Sequence, residues 1–225
     1  QRITSQGGLV DMRIRFDEQL KQLNKEMINM GTMIEESIGD AVKALMQQDV
    51  ELAQKVMAGD EEIDRTERKI EDLCLRLLLQ QQPVARDLRN ISAALKMVTD
   101  MERIGDHATD ISELAIVLSE KTYVKKLDHI EEMARETMVM LIQSLEAYVE
   151  KDLDKAQKVI AHDDVIDDLF EEVKQELIEL IRNHADEGEQ AVDLLMVTKY
   201  FERIGDHATN IAEWVIFSIT GQIAG

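Results

Sequence analysis

The chain contains one sequence unit written twice, and this repetition constrains the fold more than any other feature. Residues 53–64 (AQKVMAGDEEID) match residues 156–167 (AQKVIAHDDVID) at eight of twelve positions with a shift of 103. Residues 102–111 (ERIGDHATDI) match residues 202–211 (ERIGDHATNI) at nine of ten positions with a shift of 100. Because both matches occur in the same order at nearly the same shift, the chain is an internal duplication, and the three-residue difference belongs in a loop.

Composition and periodicity indicate that the repeated unit is helical. Pro83 is the single proline in 225 residues, and aromatic residues make up only 4% of the chain. In the first long segment, apolar residues recur at intervals of three and four, which is the pattern of a bundle seam. These residues are Leu20, Leu23, Met27, Met30, Ile34, Ile38, Ala41 and Leu45. We therefore predict an all-α fold in which six long helices form two tandem three-helix bundles.

The predicted helices cover most of the chain and alternate in direction. Asp49 and Asp152 are good N-caps for the second and fifth helices, and Pro83 lies near the first turn of the third. Short connections near Pro83 and at residues 184–188 make successive helices antiparallel neighbours. The expected spans are about 12–48, 50–81, 84–119, 124–150, 153–182 and 189–220.

Two bundles and a short leading segment follow from these spans. The first bundle is expected at residues 12–121 and the second at residues 122–225. Residues 1–11 show no periodicity, so we expect them to be disordered and to be a remnant of cloning, with Met12 as the natural start.

Charge and cysteine content limit the possible partners and compartment. The formal charge is −20, from 46 acidic and 26 basic residues, which argues against nucleic-acid binding and against adhesion of a basic face to an anionic bilayer. Cations and basic protein surfaces are the favoured partners. Cys74, the single cysteine, is expected in the core. With neither a signal peptide nor an apolar stretch of about 18 residues, we expect a cytoplasmic protein.

The third helix of each unit carries an acidic stripe. Glu102, Asp106 and Asp110 recur every four residues, which places them within about 80° of one another around the helix. Like charges at this spacing oppose helix formation by about 0.2–0.5 kcal/mol per pair, yet the pattern occurs in both repeats. The corresponding residues on the sixth helix are Glu202, Asp206 and Asn210. Shorter stripes are formed by Asp60 and Asp64 on the second helix and by Asp163 and Asp167 on the fifth.

The register of each helical hairpin brings these stripes to one height. Positions 60 and 106, like positions 64 and 102, are centred on residue 83, where the first hairpin turns. Positions 163 and 206, like positions 167 and 202, are centred on 184.5, within the second connection. We therefore expect four carboxylates to meet across two neighbouring helices in each unit.

Four adjacent carboxylates must lose charge in one of three ways. Their pKa values can rise, Arg103 and Arg203 can neutralise them, or a cation can bind. We predict a bound metal, while a solvated acidic face is the alternative. The ligands are oxygen-rich, without cysteine or a Glu-x-x-His pair, which excludes a zinc finger and disfavours a ferritin-like di-iron core. Fe³⁺, Mn²⁺, Mg²⁺ and Ca²⁺ fit best, and the sequence does not choose among them.

Histidines and glycines accompany the stripes. His107 and His207 flank the carboxylates, and we predict that they form structural hydrogen bonds rather than ligate a metal. Gly105 and Gly205 cost about 1 kcal/mol each relative to alanine inside a helix, which suggests a close backbone approach by a neighbouring helix. A simple packing role is the alternative, and we favour it.

The sequence Glu-Arg-Ile-Gly-Asp-His-Ala occurs twice, each time downstream of an Asp-x-x-x-Asp pair. The run Gln-Pro-Val-Ala-Arg-Asp-Leu-Arg occurs at residues 82–89. From Met12 onward, the chain thus resembles the PhoU family of accessory and regulatory proteins of bacterial high-affinity phosphate uptake. The resemblance implies two similar three-helix bundles and multinuclear metal clusters, with iron as the expected metal and manganese, magnesium, calcium or zinc as alternatives. The implied ligands are Asp60, Asp64, Glu102, Asp106, Asp110, Asp163, Asp167, Glu202, Asp206 and Asn210. Because Asn210 is neutral where the first repeat has Asp110, the second site is poorer by one charge, which argues against equal metal loading.

The resemblance also implies a function. It suggests a non-enzymatic negative regulator of phosphate uptake and of the phosphate-starvation response. Such a regulator links the ATPase of the phosphate ABC transporter with a sensor histidine kinase. It reaches the membrane only through these partners. We also expect a homodimer, with Leu95 and Leu195 as candidate contacts. A metal-dependent hydrolase or redox protein is the alternative, and a metal-free scaffold is a third possibility. Against an enzyme, the stripes offer no nucleophile and no general base beyond His107 and His207.

Overall fold

The computed structural model describes residues 4–80 and 83–223, and helices account for nearly all of them. The long helices are α1 (Thr4–Gln47), α2 (Val50–Gln80), α3 (Ala85–Leu118), α4 (Asp128–Glu150), α5 (Leu153–Asn183) and α6 (Gly188–Thr220), and a short 3-10 helix (Ala185–Glu187) precedes α6. The described residues contain no strand, and none of their helices is long and apolar enough to cross a membrane. The prediction of an all-α, six-helix fold is confirmed.

The start of α1 differs from the prediction. This helix begins at Thr4 rather than near Met12. Residues 4–11 are therefore helical, and the prediction that they are disordered is wrong. Residues 1–3 lie outside the described part of the chain. Extending an existing helix requires no new nucleation, so a segment without apolar periodicity can continue one.

The start of α4 also differs from the prediction. It begins at Asp128 rather than near residue 124. The backbone N–H of Val124 donates to Oε1 of Gln190 at 2.9 Å, and the Tyr123 hydroxyl donates to the carbonyl of Leu45 at 2.5 Å. These contacts tie the connection between the repeats to both bundles, which keeps it out of α4.

The predicted bundle seam forms the core of α1. Leu23, Met27, Met30, Ile34, Ile38, Ala41 and Leu45 are all buried, and Leu20 packs partly buried against them. Cys74 is fully buried, as predicted. Leu95 and Leu195, the candidate dimer contacts, are partly buried against the core rather than free on the surface.

The two repeats contact each other along two lines. Within each repeat the three helices pack against one another. Between repeats, α3 packs against α6 in the most extensive helix contact of the described residues, and α1 contacts α4 more sparingly. In the same described ranges α2 and α5 contact only elements of their own repeat. Contacts between the repeats are therefore made by α3 with α6 and by α1 with α4, while α2 and α5 lie at the flanks of the molecule.

The same turn joins the first two helices of each repeat. Gln48 and Lys151 both adopt left-handed backbone conformations, with φ of 54° and 56°. The residue after each is the predicted N-cap: Oδ1 of Asp49 and Oδ1 of Asp152 accept hydrogen bonds at 3.0 Å from the backbone N–H three residues later. The duplication therefore preserves a local turn as well as a motif.

Helix spacing at Gly105 differs from that at the equivalent Gly205 of the second repeat. A Cβ added to Gly105 would lie 3.2 Å from two side-chain atoms of Ile63, whereas one added to Gly205 would lie 3.5 Å from the nearest atom of Ile166. The first distance is a close contact and the second is ordinary van der Waals contact. Simple packing, the role that we favour, thus describes Gly205, whereas Gly105 is in closer contact with a side chain of the neighbouring helix.

Replacing these two glycines by alanine should have different effects on stability. Alanine gains about 0.5–1 kcal/mol from helix propensity, but overpacking costs about 1–3 kcal/mol. We expect Gly205→Ala to be neutral or stabilising and Gly105→Ala to be about 1 kcal/mol less stable than Gly205→Ala. Chemical denaturation of both variants after chelator treatment checks this, and equal stabilities would contradict it.

Candidate metal centre

Carboxylates of the first repeat meet across α2 and α3. Asp60 and Asp64 on α2 and Asp106 on α3 each present one oxygen, and these three oxygens lie within 4.8 Å of one another. Glu102 lies one turn before Asp106 and interacts with Asp64 as well. The hairpin register predicted from the midpoints is therefore confirmed, with position 60 near position 106 and position 64 near position 102.

Glu102 shows the electrostatic effect of this crowding. Its pKa is raised to about 7, first because the carboxyl is partly buried and then because Asp106 and Glu67 carry like charge. Arg103 opposes the shift. Glu67 is a site residue that the sequence analysis missed, although its position three residues after Asp64 on the same helix could have indicated it.

Two carboxylate oxygens of the cluster lack a hydrogen-bond donor. Oδ1 of Asp60 and Oδ1 of Asp64 are buried, and neither has a partner among the described residues. Burial, followed by the charges of Asp106 and Asp64, raises the pKa of Asp60. The Thr109 hydroxyl opposes this shift, yet it forms no hydrogen bond of ordinary geometry. Because a buried acceptor without a donor is costly, these oxygens fit a bound cation.

Arginines neutralise part of the first cluster. Nη1 of Arg103 lies 3.0 Å from Oδ2 of Asp106, and its Nε lies 3.6 Å from Oε2 of Glu102. Arg68 is less close, with Nη2 3.8 Å from Oδ2 of Asp64. Both arginines are largely exposed, so these pairs contribute little stability and leave the buried oxygens unsatisfied.

The second repeat places four equivalent carboxylates together but less tightly. The pKa of Asp163 is raised to about 6 by burial and then by Asp206 and Asp167, and Glu202 adds to the effect. Oδ1 of Asp163 is buried without a partner, as is Oδ1 of Asp60 in the first repeat. Within residues 4–80 and 83–223, however, three candidate ligand atoms come within 4.8 Å of one another only in the first repeat.

Charge substitutions explain part of this difference. Phe170 stands where the first repeat has Glu67, and Lys199 stands where it has Thr99. Nζ of Lys199 lies 2.6 Å from Oε2 of Glu202 and 5.3 Å from the centroid of the Phe170 ring. At these two positions the second repeat therefore has one carboxylate fewer and one ammonium more, while Glu171 stands where the first repeat has Arg68.

Arg203, one of the groups that could have neutralised the second cluster, does not pair with it. Its guanidinium lies 6.0 Å from the centroid of the Tyr200 ring, and it forms no ion pair with any described residue. Lys199 takes that role, because a lysine three residues before a glutamate lies on the same helix face. This spacing could have been recognised in the sequence.

Asp110 links the first cluster to the α3–α6 contact. Its Oδ2 lies 3.1 Å from Nδ1 of His107, whose ring stacks on that of Tyr200 at a centroid distance of 5.5 Å. The charge of Asp110 also contributes to the raised pKa of Asp60. The predicted hydrogen-bonding role of His107 is confirmed, and Asp110 stands at the border of the cluster.

Asn210 takes part in the corresponding contact on the other side. Nδ1 of His207 lies 2.8 Å from Oδ1 of Asp100, and Nδ2 of Asn210 donates to the same oxygen at 3.1 Å. The hydrogen-bonding prediction for His207 is thus confirmed, with a partner from the other repeat. A carboxylate at position 210 would face that of Asp100, which gives a physical reason for the neutral residue.

Comparison with known families identifies a twice-occurring domain. The family model described as "PhoU domain" matches residues 27–115 and residues 130–215. These two stretches fall in the two three-helix units, so the match follows the internal duplication.

Relatives from bacteria match over nearly their whole length. The chain is 39% identical over 208 residues to a "Phosphate-specific transport system accessory protein PhoU homolog" of Clostridium acetobutylicum, which covers 92% of this chain and 95% of the relative. It is 37% identical to a homolog of the same description in Caulobacter vibrioides, which covers 92% of this chain and 90% of the relative.

Two solved structures have the same fold. The crystal structure of PhoU from Pseudomonas aeruginosa superposes with a TM-score of 0.90 at 33% identity and covers 92% of this chain and 100% of that chain. That of the "phosphate transport system regulatory protein PhoU" from Streptococcus pneumoniae superposes with a TM-score of 0.86 at 26% identity and covers 93% of this chain and 99% of that chain.

Without metal, Glu102 should make stability depend on pH. Its pKa is about 7 in the folded protein against an ordinary value of 4.5, so the folded state holds the proton more tightly than the unfolded state. Its contribution to stability is therefore present at low pH and is lost as the pH rises between these values. We expect Glu102→Gln to be more stable than the wild type at about pH 8, with an advantage that shrinks by about pH 5.

Thermal unfolding of chelator-treated protein at several pH values measures this difference. The exposed residue Glu61, which pairs with Arg65, provides the control, because Glu61→Gln should show no such pH-dependent gain. A constant difference between wild type and Glu102→Gln would contradict the prediction.

Proposed function

Because the chain belongs to the PhoU family, we propose that it is a negative regulator of phosphate uptake and of the phosphate-starvation response. In this proposal it is a cytoplasmic, homodimeric and non-enzymatic adaptor between the ATPase of the phosphate ABC transporter and a sensor histidine kinase. The relatives described as accessory proteins of the phosphate-specific transport system support a role in that system. The Streptococcus pneumoniae structure described as a regulatory protein supports regulation rather than catalysis.

We propose further that the acidic clusters hold metal ions. The observation that carries this proposal is the pair of equivalent buried oxygens, Oδ1 of Asp60 and Oδ1 of Asp163, that lack a donor in both repeats. A bound cation would supply the positive charge that these oxygens and their neighbours lack. It would also fix the distance between the two helices that provide the ligands.

The ligand sets are unequal in this proposal. The first set consists of Asp60, Asp64, Glu102 and Asp106, with Asp110 at its border. The second set consists of Asp163, Asp167, Glu202 and Asp206. Asn210 is directed to the α3–α6 contact instead. Iron is the proposed metal, and manganese, magnesium, calcium and zinc are the alternatives. The closer carboxylates and the additional Glu67 favour tighter binding at the first set.

A metal-dependent hydrolase or redox protein has less support. Such a site needs a base that can reach a metal-bound reactant. His107 and His207, the histidines nearest the stripes, are engaged with Asp110 and Asp100. The adaptor is therefore the function that we propose.

Metal should stabilise the protein mainly through the first cluster. At a free metal concentration about 100 times the dissociation constant, binding stabilises a protein by about 2.7 kcal/mol. We expect Fe³⁺ or Mn²⁺ to raise the unfolding midpoint of the wild type, and the double variant Asp64→Asn/Asp106→Asn to lose most of this rise. The same variant should be more stable than the wild type without metal, because like charges are removed.

Calorimetric unfolding with elemental analysis measures both effects. The double variant Asp167→Asn/Asp206→Asn should lose a smaller part of the rise, and Glu61→Gln, an exposed change on α2, should lose none. Protein that contains no stoichiometric metal and whose midpoint responds to none of the candidate ions would refute the metal proposal.

Loss of the protein should release the starvation response at high phosphate. In the source bacterium, we expect deletion of the encoding gene to activate a phosphate-starvation reporter under phosphate-replete growth, and the wild-type gene to restore repression. Asp64→Asn/Asp106→Asn should fail to restore it at equal protein level. An unchanged reporter after deletion would refute regulation, whereas full rescue by the double variant would separate regulation from metal.

A further inference from the structure

The second set of carboxylates contains a positively charged side chain of its own, that of Lys199. We propose that the Lys199 ammonium group is a built-in cation, which competes with metal at the end of the second set formed by Asp167 and Glu202. The inference rests on the proposed metal binding. It adds a residue that controls how strongly the second repeat binds metal.

Two contacts hold the ammonium group of Lys199 in the second set. Nζ donates a hydrogen bond to Oε2 of Glu202 at 2.6 Å, and it lies 5.3 Å from the centroid of the Phe170 ring. Hydrogen bonds between ionised groups are stronger than neutral ones, and an aromatic ring attracts a cation within about 6 Å of its centroid. An oxygen of Glu202 that could bind a metal therefore already has a cationic partner.

Lys199 also acts on two neighbouring aspartates. Burial, followed by the charge of Glu202, raises the pKa of Asp167, and Lys199 opposes this shift. Burial and then Glu202 raise the pKa of Asp206, and Lys199 opposes that shift too. One ammonium group therefore stabilises the charged forms of three carboxylates of the second set.

The opposite end of the second set is not satisfied in this way. Oδ1 of Asp163 is buried and has no hydrogen-bond donor among the described residues. Burial, followed by the charges of Asp206 and Asp167, raises the pKa of Asp163 to about 6. The second set is thus divided, with an ammonium group at the Asp167–Glu202 end and an unsatisfied oxygen at the Asp163–Asp206 end.

The cations near the first set leave a buried oxygen unsatisfied at the corresponding end. The side chains of Arg103 and Arg68 are 58% and 70% exposed. In spite of these arginines, Oδ1 of Asp64 is buried without a donor. At the position of Lys199 the first repeat has Thr99, which is exposed. Metal can therefore reach this end of the first set without displacing an ammonium group.

Metal and Lys199 exclude each other because both need the oxygens of the same carboxylates. Metal that binds at the Asp167–Glu202 end must break the hydrogen bond between Lys199 and Glu202. The Lys199 side chain is 40% exposed and has a flexible four-carbon stem, so its ammonium group can move into water. The two sets therefore fill at different metal concentrations, the first set before the second.

Binding of Mn²⁺ to the full chain measures this competition, with the free ion counted by electron paramagnetic resonance. The changes Asp64→Asn/Asp106→Asn remove ligands of the first set and leave the second. In this background we expect Lys199→Met, which keeps an unbranched side chain without the charge, to tighten Mn²⁺ binding about tenfold or more. That factor corresponds to the loss of one hydrogen bond between charged groups.

The reciprocal change tests the same competition in the first repeat. The changes Asp167→Asn/Asp206→Asn disable the second set, and in this background we expect Thr99→Lys to weaken Mn²⁺ binding about tenfold. Thr99 is exposed, and a lysine three residues before Glu102 lies on the same helix face. Its ammonium group can therefore reach the carboxylate of Glu102.

Lys174→Met is the matched control for Lys199→Met. Nζ of Lys174 lies 5.8 Å from the centroid of the same Phe170 ring, but it donates to Oε1 of Glu171 at 2.6 Å. The control therefore removes the same charge near the second set without freeing one of its carboxylates. We expect it to change the Mn²⁺ affinity by no more than about twofold, because exposed ion pairs contribute little.

Circular dichroism and thermal unfolding establish that all variants fold. An unchanged Mn²⁺ affinity in Lys199→Met, or an equal gain in Lys174→Met, would overturn this inference alone, because the first set would still bind metal. A wild-type protein that binds no Mn²⁺ would overturn it as well. Elemental analysis with the other candidate ions then decides whether the metal proposal falls with it.

Discussion

Apolar packing between α2 and α3 holds like charges together, and the candidate site depends on this arrangement. Ile63 is buried against Gly105, and Met101 and Ile104 are fully buried beside the acidic stripe. Burial of each large apolar side chain is worth about 1.5–3 kcal/mol, against about 0.2–0.5 kcal/mol of repulsion for an exposed acidic pair. The core therefore determines the helix positions, and the carboxylates remain close although burial, followed by their like charges, raises the pKa values of Asp60 and Glu102.

The two repeats keep the same backbone arrangement but differ in charge. Phe170 replaces Glu67 and Lys199 replaces Thr99, and each change makes the second cluster less negative. Both substitutions are local to the cluster, because Lys199 contacts the Phe170 ring and Glu202. Duplication therefore supplied the geometry of two sites, while side-chain changes adjusted their electrostatics separately.

Sequence reasoning succeeded where the determining interactions repeat along a helix or a hairpin. The burial of Met27, Met30 and Ile34 follows from their spacing, and the approach of Asp60 to Asp106 follows from a hairpin that turns at residue 83. Its failures involve residues far apart in the chain. Val124 is held by Gln190, which no local pattern reveals, and this contact moves the start of α4.

The same limit applies to the candidate site. The stripe on α3 correctly grouped Glu102 with Asp106. The stripe on α6 grouped Asn210 with the second cluster, whereas Asn210 bonds to Asp100 from the other repeat. Symmetry between repeats suggested that Arg203 would act like Arg103, yet the Tyr200 ring holds it elsewhere. Position 200 is tyrosine where the first repeat has aspartate, so repeat symmetry fails at the residues that face each other between repeats.

The α3–α6 contact has the form of an isologous interface within one polypeptide. His107 meets Tyr200, and the equivalent position pair, His207 and Asp100, meets on the other side, with the two histidine rings 5.7 Å apart near the pseudo-two-fold axis. Two separate copies of a single unit would associate this way only at sufficient concentration, and both copies would carry the same residues. Covalent fusion removes both restrictions. It permits Asp110 on one side and Asn210 on the other, an asymmetry that a symmetric pair of identical subunits cannot have.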